Sequence, residues 1–211
     1  MSPSKIVTGA ALAGVLCFCG CSKSANTDTP KTAASTPAKA PPAAFELKSA
    51  VGHPTPMFSL KDANGQSVHP ADYKGKVLLL DFWATWCGPC KIEIPWFIDF
   101  ERQFKDQGFA VLGVSMDEDG WKAIKPYMDS MKMNYRVALG DDDVSTAYGG
   151  LDSLPTTLLI DRQGNIASVH VGVTMGKDEF KDAIQKLLNA PQHASIGSGN
   201  ILAGLTRPDV R

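Results

Sequence analysis

The stretch from Val77 to Cys90 constrains the fold more than any other. Val77-Leu78-Leu79-Leu80-Asp81-Phe82-Trp83 is an almost unbroken apolar run, the pattern of a strand buried on both faces. Trp86-Cys87-Gly88-Pro89-Cys90 follows it, and Lys91-Ile92-Glu93-Ile94-Pro95-Trp96-Phe97-Ile98 reads as the start of a helix. A buried strand that becomes a helix at two cysteines two residues apart is a setting for thiol chemistry. The first N–H groups of a helix are unpaired and carry partial positive charge. A sulfur placed there is stabilised as thiolate, so its pKa falls. This reading puts Cys87 at the helix start and Cys90 one turn later on the same face, within disulfide reach. Pro89 suits a first turn, where its missing N–H costs nothing. Gly88 adds no side chain to shield Cys87 from a partner's disulfide. Cys87 is thus the expected attacking sulfur and Cys90 the resolving one.

Two blander readings compete. The pair is an inert structural disulfide, or it is half of a zinc site. The second is disfavoured because no further cysteine pair follows and no His stands at ligand spacing. Of five cysteines, Cys17, Cys19 and Cys21 fall at the beginning of the chain. Cys87 and Cys90 alone remain for the folded part, too few for a disulfide scaffold and enough for one redox pair.

Leu80-Asp81-Phe82-Trp83-Ala84-Thr85-Trp86-Cys87-Gly88-Pro89-Cys90 resembles the active-site stretch of thioredoxins. Glu93-Ile94-Pro95 and the later Leu154-Pro155-Thr156-Thr157 resemble the membrane-tethered branch, the TlpA/ResA-like thiol–disulfide oxidoreductases. The resemblance covers residues 50–189. It implies an α/β, thioredoxin-like fold: a central mixed sheet, helices on both faces, and an added N-terminal β-hairpin.

The remaining chain fits one domain with appendages, as expected for 211 residues. Lys5 and the apolar or small-residue run from Ile6 to Cys19 read as an export signal over 1–20. Phe18-Cys19-Gly20-Cys21 resembles a bacterial lipobox, with Phe18 where Leu is usual. Lipidation of Cys21 is therefore expected, against an uncleaved anchor or ordinary signal cleavage. A lipid would hold the domain at the extracytoplasmic face of a bacterial membrane, on the periplasmic side. Residues 21–44, rich in Ala, Pro, Thr, Ser and Lys, read as a disordered tether. The domain is expected over 45–189, and 190–211 as a flexible tail.

Within the domain, Asn64-Gly65 signals a hairpin between Met57–Leu60 and Gln66–Val68. The first helix is expected to run to Lys105, kinked at Pro95, with Gly108 closing it. Phe109 to Ser115 reads as a strand and Trp121 to Met131 as a helix. Asp117-Glu118-Asp119 reads as an acidic cluster at that helix start, since its spacing is not that of an EF-hand. Tyr135–Leu139 is a short strand, and Asp141-Asp142-Asp143 caps a helix through Tyr148. Thr156–Ile160 and Ile166–Val171 form an antiparallel pair before an amphipathic helix over Asp178–Leu188.

Asp81 interrupts an apolar strand. A lone buried carboxylate would cost several kcal/mol, so it is protonated or serves a purpose. The alternative is a solvated strand face. Its position matches the buried acid of thioredoxins that handles the proton of the second cysteine. Glu93, one helical turn after Cys90, matches the acid of the tethered branch; an ordinary first-turn acid is the equal alternative. Many of that branch carry Asn where Asp81 stands, and which acid serves Cys90 is left open. The resemblance implies a cis peptide before Pro155, facing the disulfide, with the Leu154 backbone free to pair with an extended substrate. The alternative is a proline that opens a strand. Trp86 is a candidate for lining the exposed sulfur; Trp83 and Trp96 read as packing.

These residues predict a thiol–disulfide oxidoreductase that needs no cofactor and no metal. Its partners would be disulfide-containing extracytoplasmic proteins. Gly88-Pro89 matches thioredoxin and favours a reducing role, which calls for a membrane-embedded electron donor. Cytochrome c maturation and metal-centre assembly are among the roles the resemblance suggests. A net charge of -1 gives no footprint for nucleic acid. The rival enzyme is a peroxiredoxin, whose pattern needs Thr where Ala84 stands. The rival binding protein is a Cu(I) carrier, which typically adds a wider cysteine spacing and a His ligand.

Overall fold

A computed structural model describes residues 45–191. The expected export signal, Cys21, the tether and most of the tail lie outside the described residues. Seven strands form one mixed sheet: β1 (Leu60–Asp62), β2 (Ser67–Val68), β3 (Val77–Trp83), β4 (Phe109–Ser115), β5 (Arg136–Leu139), β6 (Thr156–Ile160) and β7 (Ile166–Val171). The spatial order is β2-β1-β5-β4-β3-β6-β7. β3 pairs parallel with β4 and antiparallel with β6; β4 and β5 are also parallel. Four helices join them: α1 (Cys90–Phe104), α2 (Trp121–Met131), α3 (Asp142–Ala147) and α4 (Lys177–Leu188). No described helix is long and apolar enough to cross a membrane.

β3 is buried along its whole length, as an apolar run of this kind requires. Side chains alternate across a strand, so it feeds two cores. Val77, Leu79 and Trp83 pack with Phe97 of α1, Ile124 of α2 and Phe180 of α4. Leu78, Leu80 and Phe82 pack on the other face with Val144 of α3, Tyr148 and Leu60 of β1. The same alternation puts Asp81 on the α1 face. The β1–β2 hairpin turns at Gly65, whose φ is 76°, and β1 docks antiparallel on β5. It therefore extends the sheet. Residues 57–59 stay outside the strand, so the hairpin is shorter than the sequence suggests.

The helix starting at the cysteines differs from expectation. Cys87 precedes it, Pro89 is its N-cap residue, and Cys90 is its first residue. The turn before it is held by Lys91 N–H to the Gly88 carbonyl and Ile92 N–H to the Pro89 carbonyl. α1 continues through Pro95 to Phe104, and Gly108 ends the short 3-10 turn after it with φ 83°. In α4, Phe180 and Ile184 are buried, while Leu187 and Leu188 cover the edge of the core.

Candidate active site

A disulfide joins Cys87 and Cys90, whose Cα atoms are 5.4 Å apart. The Cys90 N–H donates to Cys87 Sγ at 3.2 Å. This is one of the helix's unpaired first N–H groups, and it is aimed at the sulfur expected to attack. The pair lies where β3 ends, at the carboxyl end of adjoining parallel strands, where open α/β sheets place their sites. A cleft of about 360 Å³ opens over it, bordered by Trp86, Cys87, Gly88, Met116, Asp152 and Leu154. Cys87 is 4 % exposed and Cys90 1 %. Trp86 beside them is 67 % exposed, and a Cβ at Gly88 would meet no other atom. Access to the sulfur is therefore through the cleft mouth.

The Leu154–Pro155 peptide is cis, as the resemblance implied. Pro155 is buried; Leu154 is half-buried and lines the cleft. Among the described residues, the Leu154 N–H and carbonyl have no hydrogen-bond partner. An extended chain lying in the cleft would find both free.

Asp81 and Glu93 are each 1 % exposed, so neither the solvated-strand nor the ordinary first-turn reading holds. Thr157 Oγ1 donates to Asp81 Oδ1 at 3.2 Å. Burial, with the Glu93 charge adding, pushes the Asp81 carboxyl well above the usual range, against the pull of Thr157. Burial lifts Glu93 to about 7. Neither Glu93 oxygen has a hydrogen-bond partner among the described residues. Asp81 from β3 and Glu93 from the first turn of α1 thus approach from two elements on the face that holds Cys90. Glu93 is thereby placed to carry a proton near neutral pH, and Asp81 is held toward its protonated form.

Asp117 was not legible as part of this site. The sequence reads it as one of three helix-start acids, yet α2 has no acid in its first turn and Asp117 is 5 % exposed. It accepts from Thr85 and Ser115 instead. Its place just past β4, next to the end of β3, is the one signal that would have marked it. Met116 and Asp152, which also border the cleft, carry no motif.

A family profile described as the AhpC/TSA family matches residues 51–169. The chain belongs to the AhpC/TSA family. The chain is also similar to thiol-disulfide oxidoreductase ResA of Bacillus subtilis strain 168. That protein is 38% identical over 132 residues, covering 62% of this chain and 72% of the relative. The thioredoxin-like protein YneN of the same organism is 33% identical, covering 63% and 78%. A thioredoxin-family thiol:disulfide interchange protein from Chlorobium tepidum TLS superposes with TM-score 0.59 and 31% identity, over 64% of this chain and 95% of that one. The exposed lipoprotein thioredoxin Etrx1 of Streptococcus pneumoniae superposes with TM-score 0.53 and 27% identity, over 62% and 99%. Fold and relatives agree with the sulfur geometry: this AhpC/TSA domain is a thiol–disulfide oxidoreductase of thioredoxin-like fold.

Proposed function

We propose that the protein reduces disulfides in extracytoplasmic partner proteins, with Cys87 attacking and Cys90 resolving. The observation that carries this reading is the Cys90 N–H held 3.2 Å from Cys87 Sγ at the floor of the cleft. In the dithiol form, the Cys87 thiolate attacks a partner disulfide. A mixed disulfide forms, and the partner's leaving sulfur departs as thiolate and takes a proton. Cys90 then gives its proton to the Asp81–Glu93 pair and attacks Cys87 Sγ. The mixed bond breaks, the partner's second thiol leaves, and the Cys87–Cys90 disulfide remains. Two electrons have moved to the partner. A membrane-embedded dithiol donor would return them.

Leu154 and Pro155 would hold the partner segment in the cleft, and Trp86 would cover its apolar side. The Gly88-Pro89 pair favours the reducing direction. Ala84, 0 % exposed, stands where the peroxiredoxin reading needs Thr. The lipobox-like Phe18-Cys19-Gly20-Cys21 and the likeness to an exposed lipoprotein thioredoxin support a lipid anchor on Cys21, with 21–44 as tether, 45–189 as the working domain and 190–211 as a tail. Cytochrome c maturation and metal-centre assembly are the processes in which such a partner is sought first.

Cys90→Ser tests the assignment. Cys87 then stays bonded to its target, and the trapped protein is identified by mass spectrometry. A trapped species that survives Cys87→Ser, or equal trapping by Cys87→Ser alone, contradicts this division of labour between the two sulfurs.

A further inference from the structure

Asp117 is buried two residues past the end of β4. A buried carboxylate is costly unless donors surround it. Three do. The Thr85 N–H reaches Oδ2 at 2.9 Å, the Thr85 hydroxyl donates to Oδ1, and Ser115 Oγ donates to Oδ2 at 2.7 Å. The first two donors belong to the loop that carries the disulfide, and the third belongs to β4. Thr85 follows Ala84, whose carbonyl accepts the Cys87 N–H at 3.1 Å. It precedes Trp86, which borders the cleft. A second stitch lies alongside: the Met116 N–H donates to the Trp83 carbonyl at 2.8 Å. The turn between β3 and Cys87 is thus fastened to the end of β4, and its side-chain fastening converges on one carboxylate.

We propose that Asp117 is a positioning residue for disulfide exchange: it fixes the Thr85 turn so that Cys87 Sγ is held against the Cys90 N–H. This rests on the reading of Cys87 as the attacking sulfur. Position and charge act in opposite directions. A negative charge near a thiol disfavours thiolate, so removing the charge alone would lower the Cys87 pKa. Releasing the turn weakens the N–H contact and raises it.

The full chain is compared as wild type, Asp117→Ala, Asp117→Asn and Thr85→Ala. Cys87 is titrated in the reduced proteins by the pH dependence of alkylation, and each disulfide is equilibrated against glutathione. Asp117→Ala raises the Cys87 pKa by about one unit. With the equilibrium read at a pH above both values, it moves about tenfold toward the disulfide, a potential ~30 mV more negative. Thr85→Ala keeps the backbone bond and shifts both readouts the same way by less. Asp117→Asn still offers an oxygen to the Thr85 N–H, so it recovers most of the shift. The proposal is overturned if Asp117→Ala changes neither readout, if it lowers the pKa, or if Asn does no better than Ala. Should Asp117→Ala fail to fold, Thr85→Ala decides, and an unchanged pKa and equilibrium there reject the proposal. A wild-type Cys87 that titrates as an ordinary thiol rejects the exchange reading itself, before any variant is compared.

Discussion

Two carboxylates share the helix-covered face beneath Cys90, and neither is where a carboxylate is comfortable. Asp81 has one hydroxyl donor and Glu93 has none among the described residues. Both are therefore held toward their protonated forms. The sign of the consequence for stability is fixed. Glu93 binds its proton more tightly folded than unfolded, so its contribution to stability is full below its ordinary value of 4.5. It falls as pH rises toward about 7, and Asp81 adds a fall of the same sign. Glu93→Gln is expected to flatten this slope, read as the urea midpoint against pH. The catalytic consequence is separate. Asp81→Asn or Glu93→Gln is expected to slow release of the mixed disulfide by roughly 100-fold or more while Cys87 alkylation stays near wild type, measured by stopped-flow on the two steps. An equal loss in both steps contradicts a role specific to Cys90.

At the scale of elements, the join of β3 to α1 decides the site, and it was mostly legible. The apolar run gave the strand, and the Cys-x-x-Cys pair after it marked a strand-to-helix turn. The exact helix start was not legible, because Gly88-Pro89 closes its own turn before the regular bonds begin at Cys90. The burial of Glu93 was hidden too. Its position in a first turn is where a solvated acid also belongs, and only the packing of α1 on the sheet separates the two. Asp117 was misread for a related reason: two of its three donors belong to Thr85, which is 32 residues away. The neighbour of β3 carries its own constraint. A Cβ at Gly113 of β4 would lie 2.9 Å from Trp83 Nε1 and 3.2 Å from the Tyr135 ring. Both side chains are buried and packed, so Gly113→Ala is expected to cost about 1–3 kcal/mol, read from urea unfolding.

At the scale of the whole molecule, the sheet has two unlike faces. α1, α2 and α4 cover one, and α3 with Phe45, Leu47 and the β1–β2 hairpin covers the other. Alternating side chains in β3 foretold two cores. The attachment of the hairpin to β5 did not follow from sequence, because a short strand records its turn and not its partner. Tyr148 ties the entering segment down, with its hydroxyl at 2.9 Å from Thr55 Oγ1 and 3.0 Å from the Pro56 carbonyl. Both cores lie inside residues 45–191, so a chain lacking 1–44 is expected to unfold at the wild-type midpoint and to exchange with a soluble disulfide at the wild-type rate. A lower midpoint would place part of the core in the removed segment. The full chain is expected to carry a lipid on Cys21, read as added mass on a mature chain beginning there. An unmodified mature chain contradicts the anchor and leaves the domain's chemistry untouched.

The proposed exchange rests on the helix start activating Cys87. The direct measurement is the rate of Cys87 alkylation against pH in the reduced protein, with the modified residue assigned by peptide mass. A half-maximal rate at least one unit below the ~8.5 of a free cysteine is predicted. A midpoint at or above that value would contradict it.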